Sequence, residues 1–185
     1  KKPIWLLILI AVLLALLVAL TTLVVFDIIA EKRREAQEID IVMTEESGNA
    51  WGQKDYLSIF PEDVRTGEKL LAPGYEGSYD FVVNNENDLD LIIHLTFGDK
   101  NAAEVPMRYK LRMGNVYVIG DKDNYVTVDK LALEDVKVEP NSATRFTLEW
   151  MWVEEDDEKD TAIGNLDFAT YTLTIDMAVE KNLDN

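Results

Sequence analysis

The densest group of side chains with metal-binding chemistry is an acidic segment formed by Glu154, Glu155, Asp156, Asp157 and Asp160. Carboxylates clustered on a loop suit Ca²⁺, which takes about six to eight oxygen ligands. The spacing is not that of an EF-hand loop, which alternates acids around a central glycine. A solvated acidic loop between two strands is the competing interpretation, because charge runs usually face water. Ca²⁺ is therefore the only cofactor that the sequence suggests, and this segment is the first candidate site for it.

The other polar residues give little support for catalysis. His94 is the only histidine, and the chain has no cysteine, which excludes disulfides and thiolate chemistry. Zinc proteases typically use an H-E-x-x-H helix, whereas His94 alternates with Ile92 and Thr96 in a segment typical of a strand. No nucleophile-elbow or phosphate-loop motif occurs. We therefore expect a non-enzyme in which His94 is structural. Asp121, Asp123 and Asn124 form a second, weaker calcium candidate.

The element that precedes these residues is an apolar run, residues 4–26, without a single charge. As a helix rising about 1.5 Å per residue, it is long enough to cross a hydrocarbon core of roughly 30 Å. Helix-forming residues continue to Glu38, so we assign residues 1–38 to a hydrophobic helix with a charged extension. The run is longer than the apolar part of a signal peptide, and no good small-residue cleavage site follows it. We expect a retained helix that spans a membrane or packs in a filament core, with a cleaved signal as the alternative.

Charge constrains the partners of the remaining chain. Residues 27–185 contain 16 basic and 35 acidic residues, a formal net charge of −19. Such a domain does not bind nucleic acid or anionic lipid through a basic surface. Cations, basic surfaces or further copies of the chain fit better, although an acidic surface also serves plain solubility. The basic residues flanking the apolar run, Lys1 and Lys2 before it and 32–34 after it, nearly balance and leave the membrane orientation open.

From residue 39 onward the hydrophobic pattern alternates, which predicts β-strands. The expected strands are 39–43, 79–84, 89–97, 107–113, 116–119, 125–128, 136–138, 145–153 and 168–179. Clusters of Gly, Pro, Asn and Asp separate them, and short helical stretches are expected at 62–67 and 130–134. Residues 39–185 are therefore predicted to form an acidic, all-β, antiparallel jelly-roll or β-sandwich domain.

Two further patterns support this fold class. Segments 71–83 and 138–150 each contain a Pro-led turn followed by an alternating strand, which suits a double Greek key, with chance similarity as the alternative. Trp150 and Trp152 lie two residues apart and hence on one strand face. Core packing is the expected role of this pair, and an exposed pair that binds glycans or partners is the alternative.

The short strand that follows the helix is a candidate assembly element. Ile39, Ile41 and Met43 alternate on one face and precede the polar stretch 44–49. A strand in this position either pairs within its own sheet or is lent to the open edge of a neighbouring copy. Own-sheet pairing is the default, because a free strand must find a partner for its backbone groups.

Several segments together resemble a group of Gram-positive surface proteins, the TasA/camelysin-like fibre proteins and their relatives. The resemblance is carried by the leading helix and by 71–85 (LAPGYEGSYDFVVNN), 106–111 (PMRYKL), 148–165 (LEWMWVEEDDEKDTAIGN) and 171–175 (YTLTI). It implies a jelly-roll domain outside the membrane that assembles into fibres or a matrix, in some members by lending an N-terminal strand. Some members carry a metalloprotease label, which is not transferred because the zinc motif is absent. Members typically lose their helix to a signal peptidase, and the poor cleavage site here favours retention.

The leading expectation is a structural cell-surface protein of pilus-like or biofilm-matrix type: a homopolymer with an extracytoplasmic domain, either single-pass in the cell membrane or in an extracellular filament. A pilin of the type IV kind is less favoured, because position 5 is Trp5 and no acid precedes Asp27. The alternatives are a monomeric membrane-anchored accessory module of a larger complex and a calcium-binding β-sandwich module.

Overall fold

A computed structural model describes residues 4–36, 39–45, 50–51, 54–60, 71–166 and 170–182. Helix α1 spans Ile4–Ala36, and neither glycine nor proline interrupts it. Residues 37–38 of the expected extension lie outside the described ranges. The chain divides into two compact units, one that contains α1 and one that spans Asp40–Asn182.

The second unit consists of two antiparallel sheets. The strands are β1 (Ile41–Glu45), β2 (Ala50–Trp51), β3 (Lys54–Leu57), β4 (Glu76–Asn85), β5 (Leu91–Asn101), β6 (Met107–Met113), β7 (Val116–Ile119), β8 (Ala132–Val138), β9 (Ser142–Trp152) and β10 (Tyr171–Lys181). Sheet A has the order β2-β1-β4-β9-β6-β7, and sheet B has the order β3-β10-β5-β8. The expected all-β class with an N-terminal apolar helix is confirmed.

The centre of sheet A is the long β4–β9 pair, which runs in register from Glu76 opposite Met151 to Asn85 opposite Ser142. The two similar segments 71–83 and 138–150 therefore contribute neighbouring strands. Trp150 and Trp152 on β9 are 1% and 2% exposed, which confirms that they pack in the core.

The centre of sheet B is the β5–β10 pair, in which Ile93, Leu95, Leu173 and Ile175 are fully buried against the inner face of the sandwich. On the other side of β5, strand β8 pairs with a register shift between Ile93 and Leu95. This bulge lies opposite His94, whose side chain points away from the core because its two neighbours point into it.

A chain of hydroxyl groups joins the two sheets through the core. The Tyr109 hydroxyl on β6 donates to the Tyr171 hydroxyl on β10, which donates to Asp99 Oδ2 on β5 at 2.8 Å. Burial is the main cause that raises the pKa of both phenols above the ordinary value. The phenols therefore stay neutral and hydrogen-bonded over the physiological pH range.

Several sequence-based expectations are wrong. Residues 125–128 do not form a strand: Val126 makes an isolated bridge to Tyr109, and a 3₁₀ turn follows at Val128–Lys130. Residues 130–134 are not a helix, because β8 begins at Ala132 and pairs with β5 despite its helix-forming residues. The acidic segment is not simply a loop, since a second helix, α2, spans Asp157–Gly164. The helical stretch expected at 62–67 lies outside the described residues.

Candidate functional site

The candidate assembly strand pairs within its own sheet. β1 lies antiparallel to β4 from Ile41 opposite Asn85 to Glu45 opposite Phe81, and β2 pairs on its other edge. Met43 is 1% exposed and belongs to the core, and Ile41 packs against it. Ile39 precedes the strand. β1 therefore supplies part of the hydrophobic core as well as backbone pairing.

Two buried asparagines hold the start of β1 in place. Asn87 accepts a hydrogen bond from Asp40 N at 3.0 Å and donates to Asp40 O at 2.6 Å. Asn85 in turn accepts from the Asn87 side chain and donates to Leu89 O, Val138 O and Glu139 O. Asn85 and Asn87 are 1% and 3% exposed, so the bonds between their side chains are buried, whereas the bonds to Asp40 are partly buried. We call this pair the asparagine clamp.

The other end of β1 is also tied down. The Tyr79 hydroxyl on β4 donates to Glu45 Oε1 at 2.9 Å. Partial burial, followed by the hydrogen bond to Glu45, raises the pKa of Tyr79, so the phenol keeps its proton as the donor. The clamp, the edge of β4 and the core position of Met43 together hold β1 in sheet A.

The structure gives the members of the acidic segment separate partners. Asp156 is the N-cap of α2, and its Oδ1 accepts from Glu158 N at 3.0 Å and Lys159 N at 3.1 Å. Glu155 pairs with Arg108 at 2.9 Å. Glu154 is exposed and lies over Gly74, and Asp157 is an exposed residue of the first turn of α2.

Asp160 is buried, unlike the rest of this segment. Its Oδ1 accepts from Trp152 Nε1 at 2.9 Å and its Oδ2 accepts from Asp156 N at 3.3 Å. The indole hydrogen bond, as the largest cause, lowers the pKa of Asp160, because it favours the charged form. Asp160 therefore connects α2 to the buried end of β9. The calcium site stays a prediction.

The second calcium candidate is a tight turn. Asp121 Oδ1 accepts from the backbone N of Asp123 and Asn124 at 2.8 and 2.9 Å, and Oδ2 accepts from the Asn124 side chain. The Asn124 bond is the largest cause that lowers the pKa of Asp121. This Asx-type turn stabilises the loop that passes over the buried Lys110, whose Nζ donates to Lys122 O at 3.0 Å.

Sequence reasoning missed a cluster on the outer face of sheet B. His94, Asp135 and Glu180 form the one group of three potential metal ligands, among the residues that the structure describes, whose ligand atoms all lie within 4.8 Å of one another. The residues come from β5, β8 and β10, so their proximity depends on the strand order. His94 Nε2 lies 3.7 Å from Glu180 Oε1, and Asp135 N donates to His94 Nδ1 at 3.4 Å.

Helix α1 presents an apolar surface. Its segment Leu9–Arg33 contains an 18-residue window with a mean hydropathy of 3.0 and meets the length and composition criteria for crossing a membrane, which a signal sequence also meets. Every side chain described between residues 9 and 33 is exposed. The hydroxyls of Thr21 and Thr22 both donate to Val18 O, at 2.9 and 2.7 Å, so these polar groups are satisfied inside the helix. Such a helix is compatible with apolar surroundings.

A scan against models of protein families gave no match, and a search of curated proteins gave none.

Proposed function

We propose that this protein is a structural cell-surface subunit that keeps α1 and assembles with copies of itself into a fibre or matrix. The observation that carries the proposal is the apolar surface of α1. Leu17, Leu20 and Leu23 are each more than half exposed, and each buried apolar Å² stabilises by about 25 cal/mol. Lipid or neighbouring helices must cover this surface.

The sandwich domain supplies the second contact of the proposed polymer. The β4 edge and the asparagine clamp form the groove that β1 occupies. This groove is specific for β1, because it offers backbone pairing, a core position for Met43 and hydrogen-bond partners for the Asp40 backbone. The β1 strand of a neighbouring copy has the same residues and fits the same groove, so exchange of strands links copies without any new contact. A jelly-roll topology, as in the fibre proteins that the sequence resembles, is part of this proposal.

Engineered disulfides test strand exchange directly, since the chain has no cysteine of its own. Val42 and Asn84 are opposed across the β1–β4 pair. In the variant Val42→Cys/Asn84→Cys, oxidation links strands that are paired at that moment. If β1 is exchanged, we expect a ladder of disulfide-linked oligomers on a non-reducing gel of the assembled material. If β1 pairs with β4 of its own chain, we expect a monomer with altered mobility.

The matched controls are the two single-cysteine variants, which must give neither a ladder nor a monomer with altered mobility. Filaments seen by electron microscopy with only intrachain crosslinks would eliminate strand exchange and leave α1 as the assembling element. A chain that stays monomeric in detergent across salt and Ca²⁺ concentrations would refute the polymer.

The alternative function is a monomeric, membrane-anchored accessory module. The pairing of β1 with β4 of its own chain favours this candidate. Hydrogen bonds from Asn87 and Tyr79 hold the two ends of the strand, so β1 is fully paired without a second copy. Under this alternative the crosslink is intrachain, the protein is extracted from membranes as single copies, and microscopy finds no filaments. No catalytic activity is proposed in either case.

A further inference from the structure

We propose that His94, Asp135 and Glu180 bind a divalent transition-metal ion of the zinc class on the outer face of sheet B. The inference goes beyond assembly, because all three ligands belong to one domain and need no second copy. The ligand atoms already lie within 4.8 Å of one another. Bonds of about 2.0–2.2 Å to one ion hold two ligand atoms at most about 4.4 Å apart. Small side-chain rotations therefore close the site.

The strand register explains why these residues converge. His94 is opposite Ala178 in the β5–β10 pair, so Glu180 is the diagonal neighbour on the same face. Asp135 lies at the bulge of β8 opposite His94 and has a left-handed backbone with φ of 56°. The bulge turns this residue toward the histidine, in the way that bulges re-aim side chains.

The ligand types favour zinc-like ions over calcium or magnesium. Imidazole suits Zn²⁺, Cu²⁺ and Ni²⁺, whereas Ca²⁺ and Mg²⁺ prefer oxygen ligands in greater number. The two carboxylates neutralise the charge of one divalent ion. Asp135 and Glu180 are exposed, so at least one coordination position stays open to water.

The imidazole has to rearrange its proton for this role. With Nδ1 accepting from Asp135 N, the neutral ring carries its proton on Nε2, which faces Glu180. An ion at Nε2 displaces that proton, and the neutral ring takes one up on Nδ1 in exchange. The ring then gives up the hydrogen bond from Asp135 N, which is long at 3.4 Å and therefore weak.

The sole histidine makes a specific experiment possible. In the untagged chain of 185 residues in detergent micelles, all imidazole nitrogen signals belong to His94. After ¹⁵N-histidine labelling, ZnCl₂ is titrated at a fixed pH near 7.5 while these signals are followed by NMR. We expect a saturable shift of the Nε2 signal, and no comparable shift with the same concentrations of CaCl₂ or MgCl₂.

Three variants separate a built site from a lone imidazole. Glu180→Gln and Asp135→Asn keep the size of each side chain, and asparagine tolerates the left-handed backbone at position 135. Each should weaken zinc binding at least about tenfold. The control Glu158→Gln removes an exposed acid on α2 and should bind like the wild type.

Thermal unfolding gives a second measurement. Zn²⁺ should raise the melting temperature of the wild type and of Glu158→Gln, and should leave that of Glu180→Gln nearly unchanged. Equal zinc affinity in all variants would reduce the site to an adventitious imidazole ligand and overturn the proposal. An Nε2 signal that does not respond to millimolar Zn²⁺ would overturn it as well.

Discussion

Gly77 on β4 leaves room for the ring of Trp150, its cross-strand partner on β9. A Cβ at this position would lie 2.5 Å from Trp150 Cζ2 and 2.8 Å from Cε2. The indole cannot easily move, because it is 1% exposed and its Nε1 donates to Ile59 O at 3.1 Å. We expect Gly77→Ala to lower the free energy of unfolding by about 1–3 kcal/mol, as measured by chemical denaturation in detergent.

The matched control is Gly164→Ala on α2. There the nearest atom to an added Cβ is Pro73 Cδ at 3.9 Å, an ordinary contact. Alanine favours a helix by up to about 1 kcal/mol over glycine, so the control should be neutral or slightly stabilising. Equal destabilisation by both changes would contradict the proposed clash.

The hydroxyl chain through the core predicts an alkaline sensitivity. Tyr171→Phe removes the acceptor of Tyr109 and the donor to Asp99, and should cost about 1–3 kcal/mol of stability near neutral pH. Because the folded-state pKa of Tyr109 and Tyr171 is raised above 10.0, their contribution is complete below pH 10 and is lost as the pH rises further. Urea midpoints measured from pH 7 to 11 should therefore fall above pH 10. The fall should be shallower in Tyr171→Phe, and an identical slope in both proteins would refute the assignment.

At the scale of elements, α2 depends on its N-cap. Asp156→Ala removes the acceptor for two helix amides and should destabilise by about 0.5–2 kcal/mol, with faster hydrogen exchange confined to α2. Asp156→Asn keeps the acceptor and should exchange almost like the wild type. Asp157→Ala, an exposed neighbour, is the charge-matched control.

The same variants examine the calcium prediction. If Ca²⁺ binds the acidic segment, it should stabilise the wild type and lose this effect in both Asp156→Ala and Asp157→Ala. If the acidic segment binds no Ca²⁺, calcium should stabilise none of these proteins, and Asp156→Ala should show only the loss of its N-cap.

Elements with a clear alternating pattern were predictable from the sequence. The bounds of β6 and β7 match the expected strands, and the two tryptophans of β9 face the core as their spacing predicts. α2 was missed because its acids suggest a solvated loop, while the N-cap of Asp156 and the burial of Asp160 against Trp152 decide otherwise. β8 was misread since pairing with β5 outweighs the helix propensity of its first residues.

The histidine cluster was beyond reach of sequence reasoning. His94, Asp135 and Glu180 are distant in sequence and come together only through the strand order β10-β5-β8 and a bulge. A sequence pattern fixes the period of a strand but not which strands become neighbours. The asparagine clamp was missed for the same reason, because the cluster at 84–87 is typical of any turn.

For the whole molecule, charge should control assembly. A net charge of −17 opposes close approach of copies. Salt weakens this repulsion, because charges farther apart than the Debye length, about 10 Å at 0.1 M ionic strength, are largely screened. We expect the polymer fraction, measured by sedimentation at a fixed protein concentration, to rise as NaCl is raised from roughly 20 mM to roughly 500 mM, because the Debye length shortens over this range. Dissociation by salt would instead indicate that ion pairs between copies hold the assembly.

Retention of α1 and an outward-facing domain are also properties of the whole chain. Mass spectrometry of the native protein should find peptides from within residues 5–29, because no good cleavage site follows the apolar run. Protease added to intact cells should digest the sandwich domain. A mature N-terminus at or after residue 31 would end both the anchor and the helix-core proposals.

The asparagine clamp also determines how the domain carries mechanical load. Tension from α1 enters the sandwich at Asp40, which Asn87 grips through two hydrogen bonds. Asn182, the residue that follows β10, donates its backbone N–H to Asp90 O in the same β4–β5 turn. We therefore expect a pull between Asp40 and Asn182 to load this turn before it separates the paired strands of the two sheets. In single-molecule stretching between these two points, we expect Asn87→Ala to lower the rupture force while the unfolding of the remaining sandwich changes little.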